Sequence, residues 1–143
     1  MKYLLTNVKI LDGTKDMQVQ EGKAILVEDG QIKDILPLEE AKKQYPTTQG
    51  YEEIDLQGKY ILPGLINMHV HLAGNGKPQK KQRDNEALVK KIMSNALTKA
   101  IAYNMVCGFA RDELYSGVTT IRTVGGLGDF DTRLRDDIAA GKK

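Results

Sequence analysis

His69 and His71 are the only two histidines in 143 residues, and they stand two positions apart in "INMHVHLAG" (residues 66–74). Side chains alternate faces along a strand, so residues i and i+2 share one side. At about 3.3 Å of rise per residue the two imidazoles would lie roughly 6.6 Å apart along the strand, a separation two rings can close onto one metal ion. The same spacing also arises on the wet side of a half-exposed strand, where both rings are simply solvated. Two ligands fall short of the three or four that a zinc site needs, so the spacing leaves both readings open.

The elements that must carry the pair can be read from the surrounding pattern. In residues 65–72 strict alternation predicts Leu65, Asn67, His69 and His71 on one face and Ile66, Met68, Val70 and Leu72 on the other. The second set would pack under helices and leave the histidine face directed inward. From residue 84 to residue 115 apolar residues recur at helical spacing, through Leu88, Ile92, Ala96, Ala100, Met105 and Phe109, which predicts one long helix with these positions on its core side. Gly117 closes it, and "VTTIRTV" (118–124) reads as a β-branched strand. Asp131 is placed as an N-cap, "TRLRDDIAA" (132–140) as a short helix, and Gly141 as its C-terminal glycine. Strand, helix, strand, helix is the order of a parallel sheet with helices laid against it, whose sites form at the carboxyl ends of strands. "HVHLAGNG" is where the first of these strands gives way to a loop.

The preceding residues read differently. "YLLTNVKIL" is β-rich; "KAILVEDGQIKDIL" is two apolar runs joined at Asp29-Gly30, a dipeptide suited to a hairpin turn; and "IDLQGKYILPG" offers another paired segment about Gln57-Gly58. One helical turn is expected near Glu39 to Gln44. The expected division is residues 1–62, a β-only portion, and residues 63–143, two βα units.

"LPGLINMHVHL" (62–72) closely resembles the first barrel strand of the amidohydrolase superfamily, in which a Pro-Gly-hydrophobic stretch leads into His-x-His. "SGVTTIRTVGG" (116–126) is similar to the second barrel strand of its imidazolonepropionase-like and prolidase-like branch, and "NVKILDG" through "IDLQGKYILPG" is similar to the small β-sandwich beside such barrels. The resemblance implies an α/β fold: the first two βα units of a TIM-type (β/α)8 barrel, preceded by part of a small β-sandwich. It implies that His69 and His71 are ligands of a divalent metal, zinc by default, with one or two ions in the complete enzyme. Such a metal activates water and polarises the scissile carbonyl, and a carboxylate of the last barrel strand moves the protons.

The reaction implied is hydrolysis of a carbon–nitrogen bond (amide, cyclic amide or dipeptide) in a small molecule. No catalytic residue is assigned within this chain. The other ligands and the proton-transfer carboxylate are expected on later strands, since a closed barrel needs about 250 residues. Two departures from the family pattern, Asn67 where many relatives carry aspartate and Thr123 near the glycines, leave substrate choice open. The rival reading is a non-catalytic, truncated module that binds metal or self-associates, and the expected partners are a small-molecule substrate and either further copies or the remainder of the barrel.

Other features are assigned structural roles. A net charge of +2 gives no footprint for nucleic acid or membrane, and "GKPQKKQR" (76–83) is read as a solvated loop. A lone cysteine, Cys107, is placed in the core and fits a reducing compartment; with no secretory signal and no membrane-length apolar run, a cytoplasmic location is expected. "VGGLGDFD" (124–131) lacks the G-x-G-x-x-G of nucleotide sites. Asp129 and Asp131 are weighed as substitute oxygen ligands, with capping the better account of Asp131.

Overall fold

The structure is a computed structural model and describes residues 1–74, 76 and 84–143. It divides into two compact units, Met1–Pro63 and Gly64–Lys143. The basic stretch 77–83 lies outside the described residues.

In the first unit, β1 (Lys2–Thr6), β3 (Lys23–Glu28), β4 (Gln31–Pro37) and β5 (Glu52–Asp55) form a four-stranded sheet in the order β4-β3-β1-β5. β2 (Lys9–Ile10) and β6 (Tyr60–Ile61) form a separate parallel pair. The β3–β4 hairpin turns at Asp29 and Gly30 with φ of 50° and 77°, the positive values for which that dipeptide is suited. "YLLTNVKIL" is two strands, because Asn7 adopts φ 50° and ends the first. Gln57 and Gly58 also turn the chain at positive φ, but the strands on either side do not pair with each other: β5 runs parallel to β1 and β6 parallel to β2. The helical turn is α1 (Leu38–Gln44).

The run Ala24-Ile25-Leu26 is buried throughout, where an exposed sheet would alternate. Ala24 and Leu26 pack with Leu4, Leu36 and Ala41 of α1, while Ile25 packs with Val8 and Ile10 on the opposite side. Both faces of β3 are therefore covered, which requires a continuous apolar run.

In the second unit β7 (Leu65–Val70) and β8 (Val118–Thr123) are parallel neighbours. Among the described residues the crossover holds two helices, α2 (Asn85–Ile92) and α3 (Ala96–Tyr115), where the periodicity predicts one. The break has a local cause. Asn95 caps α3 by accepting from the Thr98 backbone N at 3.0 Å, and Thr98 Oγ1 donates to the Ile92 carbonyl at 2.6 Å, so polar side chains take the bonds that would have continued the helix.

The break resets the helical phase. α3 buries Ala102, Tyr103 and Val106, whereas Leu88 and Met105 of the expected stripe are 41% and 56% exposed, and Ala96 and Ala100 are also exposed. Cys107 and Phe109 pack at the edge of this core. Gly117, at φ 94°, follows the end of α3, and Gly141, at φ 67°, follows α4 (Phe130–Ala139). Asp131 is not the N-cap: α4 starts at Phe130, the capping position belongs to Asp129, and Asp131 lies inside the first turn. Phe130 and Leu134 of α4 complete a core with Val70, Leu72 and the buried face of α3. None of the described helices is long and apolar enough to cross a membrane.

Candidate metal site at the end of a parallel strand

The site begins with an irregularity in β7. Asn67 pairs with Ile121 and Val70 with Thr123, so Met68 and His69 together span the interval that Arg122 alone occupies in β8. This bulge changes the parity of the strand. Ile121 packs on the helix-covered core, and so do Val70 and Leu72, which are 5% and 2% exposed. Asn67 faces the same side as Ile121, and its Nδ2 donates to Glu113 Oε2 of α3 at 3.4 Å.

Strict alternation is thus corrected in two respects. Asn67 does not share the face of the histidines, and Ile66 and Met68 do not pack under the helices but stand 63% and 58% exposed. Only Val70 and Leu72 fill the role expected of that set.

His69 and His71 flank the buried Val70 and point away from the core. Their ring centroids are 5.2 Å apart, with planes inclined at 68°. His71 Nδ1 lies 3.1 Å from the Gly125 carbonyl oxygen at the end of β8. A carbonyl can only accept, so Nδ1 carries the proton, and the Nε2 lone pair of the neutral ring is free for a ligand. Gly125 delivers this carbonyl at φ 148°, in the region that favours glycine. The His69 backbone N donates to Asn67 Oδ1 at 3.2 Å.

A cleft of about 440 Å³ runs beside the pair, lined by Asn67, His69, His71 and Leu72 and by Phe109, Asp112 and Glu113 of α3. Two imidazoles, one held as the Nδ1–H tautomer, suit a borderline divalent cation such as zinc. Among the described residues no third His, Cys, Asp or Glu joins them in a group able to hold a metal. Asp129 and Asp131 therefore do not complete the set. The Asp131 carboxylate lies over Gly126, where an added Cβ would come within 2.4 Å of Oδ2, and its Oδ1 is buried without a hydrogen-bond partner.

The sequence reading located the two imidazoles but not the groups that hold them. Asn67 stood out only as a departure from a family pattern. Glu113 carries no signal at all, being 46 residues from Asn67 along the chain. Gly125 carries no signal beyond its place in "VGGLGDFD", and its carbonyl contact depends on long-range strand pairing.

The amidohydrolase family profile matches residues 52–130, which include β7, α2, α3 and β8. The imidazolonepropionase of Clostridium tetani is 30% identical over 139 residues, a match covering 85% of this chain and 33% of the relative. The dihydroorotase of Trichlorobacter lovleyi is 35% identical over 81 residues, 57% of this chain and 17% of that one. Among solved structures, a Xaa-Pro dipeptidase with methionine bound in its active site superimposes with a TM-score of 0.68 at 27% identity, covering 100% of this chain and 31% of its own. The guanine deaminase of E. coli shares the fold at a TM-score of 0.74 and 18% identity, over 99% of this chain and 34% of its own. The chain thus spans about a third or less of the length of these proteins. The two-stranded β7–β8 sheet matches the opening portion of such folds and does not close into a barrel.

Proposed function

The chain belongs to the amidohydrolase family, and from that premise we propose that His69 and His71 are metal ligands of a hydrolase that cleaves a carbon–nitrogen bond in a small molecule. The observation that carries this is the pair of rings 5.2 Å apart, on one side of β7 at its carboxyl end, with His71 Nδ1 engaged by Gly125. β7 and β8 with their helices would be the first two βα units of a (β/α)8 barrel, preceded in the chain by unit Met1–Pro63 as part of a small β-sandwich. Parallel pairing across a helical crossover supports the first assignment, and a β3 covered on both faces supports the second.

A divalent metal, zinc by default, would supply Lewis acidity toward a substrate carbonyl and lower the pKa of water beside it. The chain's own residues do the preparing. His71 offers Nε2 because Gly125 holds the proton on Nδ1, and His69, two positions earlier, lies beside it with ring centroids 5.2 Å apart. The cleft lined by Phe109 and Leu72 gives the approach an apolar wall, while Asp112 and Glu113 add carboxylates. The remaining ligands and the proton-transfer carboxylate are assigned to sequence corresponding to the rest of the relatives.

Titration with Zn²⁺, followed by imidazole NMR and calorimetry, tests the reading. Binding that shifts both imidazoles and is lost in His69→Ala and His71→Ala is expected; unchanged affinity in either folded variant overturns it. In a protein of the relatives' full length, the same substitutions should abolish amide hydrolysis.

A second reading, a self-associating non-catalytic module, is favoured by the exposed Leu65, Ile66 and Met68 of β7. A discrete oligomer at micromolar concentration would support it, and a monomer would oppose it.

A further inference from the structure

Asp131 stands close to the site without capping α4 or joining a group able to hold a metal. A position in the first turn of a helix suits a negative charge. Its Oδ1, however, is buried without a hydrogen-bond partner, and that costs more than the helix terminus returns. A buried oxygen left in this state calls for a reason to keep it.

The turn that carries Asp131 is fixed, because Phe130 and Leu134 of α4 are buried in the core of the unit. From there the carboxylate takes up the space in which a side chain at position 126 would stand: a Cβ added to Gly126 would run into Cγ and both oxygens. Gly126 is not among the glycines at positive φ, so its lack of a side chain answers to this carboxylate and not to the backbone.

The Gly125 carbonyl, 3.1 Å from His71 Nδ1, lies in the peptide plane that ends at the Gly126 Cα. At its other end Gly125, at φ 148°, brings the latitude of a glycine and no side chain to fix that plane. Turning the carbonyl off the ring swings the Gly126 end of the same plane against Asp131. We infer that Asp131 is a positioning residue for His71: packed on Gly126, its carboxylate holds the Gly125–Gly126 peptide so that the carbonyl keeps the proton on Nδ1. The role belongs to the shape of the side chain and not to its charge. It rests on the proposed metal role of His71 only for its effect on affinity, since the tautomer is measured without metal.

The test separates shape from charge. Asp131→Asn and Asp131→Leu keep a side chain branched at Cγ, whereas Asp131→Ala removes it. Long-range ¹H–¹⁵N spectra of the metal-free protein, taken where the ring is neutral, should show protonated Nδ1 in the parent, Asp131→Asn and Asp131→Leu, and a mixture of tautomers in Asp131→Ala. Zn²⁺ affinity should fall by about tenfold in Asp131→Ala and stay within about threefold of the parent in the other two. The urea midpoints of Asp131→Ala and Asp131→Leu should equal or exceed that of the parent, because the unpartnered oxygen is gone. Should Asp131→Ala lose its fold, Asp131→Ser takes its place with the same expectation.

A parent without protonated Nδ1, a folded Asp131→Ala that keeps the parent's tautomer, or an Asp131→Asn that loses it overturns the positioning role. Failure of Zn²⁺ to bind the parent, with the tautomers as expected in every variant, would instead overturn the metal reading and leave this one supported.

Discussion

Replacing Gly125 by Ala tests whether the tautomer of His71 is set by the backbone at the end of β8. An added Cβ would meet His71 Cε1 and Nδ1 at 3.6 Å, ordinary van der Waals contact, so the substitution has room. Its difficulty is φ 148°, a backbone conformation that costs a residue with a Cβ about 1–3 kcal/mol. The bond from His71 Nδ1 to the Gly125 carbonyl, 3.1 Å long at an exposed ring, returns about 1 kcal/mol. Strain exceeds the bond, so the peptide should rotate and the carbonyl leave the ring. His71 would then populate both neutral tautomers, and Zn²⁺ affinity should fall by about 10- to 100-fold, as it does when a ligand histidine loses its orienting partner. Long-range ¹H–¹⁵N spectra read the tautomer directly: the parent should show protonated Nδ1, the variant a mixture. A Gly125→Ala protein that keeps Nδ1 protonated and binds Zn²⁺ as the parent does would refute the reasoning, because the backbone would have absorbed the strain without releasing the ring.

Three further outcomes follow from contacts elsewhere. At Gly64 an added Cβ would fall 2.0 Å from Thr119 Oγ1 and 2.7 Å from its Cβ, so Gly64→Ala should destabilise the Gly64–Lys143 unit by about 1–3 kcal/mol in urea unfolding, and Thr119→Gly should recover most of that loss while Thr119→Ala should not. Val106 is 1% exposed at the centre of the core of that unit, and Val106→Ala should cost about 2 kcal/mol in the same assay, against less than about 0.5 for Met105→Ala on the exposed face. Tyr103 Oη donates to Asp137 Oδ2 at 2.5 Å, and this bond, with the charges of Lys142 and Arg133, holds the Asp137 carboxyl below its ordinary range; burial and the same bond push the Tyr103 phenol up. Asp137 therefore adds stability above the ordinary carboxylate pKa that is lost as pH falls through its lower folded value. Tyr103 adds stability below the ordinary phenol pKa that is lost as pH rises toward its raised one. Tyr103→Phe should flatten both limbs of the unfolding midpoint against pH, and an unchanged acid limb would count against the bond.

The parts of this fold that could be read from residues alone are those decided within a few positions. Asp29-Gly30 makes its turn from the φ tolerance of two residues, and Gly117 and Gly141 end helices for the same reason. "LPGLINMHVHL" carried the family because its glycine and histidines are set by close packing and by chemistry; Gly64, for example, leaves no room for a Cβ against Thr119. Errors arose where a local pattern was extended across an interruption. The helical stripe from Leu88 to Phe109 assumed one phase, and the Asn95 cap broke it; the alternation from Leu65 to Leu72 assumed one pleat, and the bulge after Asn67 broke that.

The second error bears on the site. Unbroken alternation puts His69 and His71 on one face and so does the bulged strand, but the first also puts Asn67 there, whereas the bulged strand turns it toward Glu113. The spacing His-x-His is thus enough to suggest chelation and not enough to say what aims the rings. For His71 that depends on a carbonyl from the loop after β8, which has no signature within its own stretch of chain. Position relative to β7 makes it part of the site. A change confined to that loop should therefore alter the His71 ring while leaving "HVH" itself untouched.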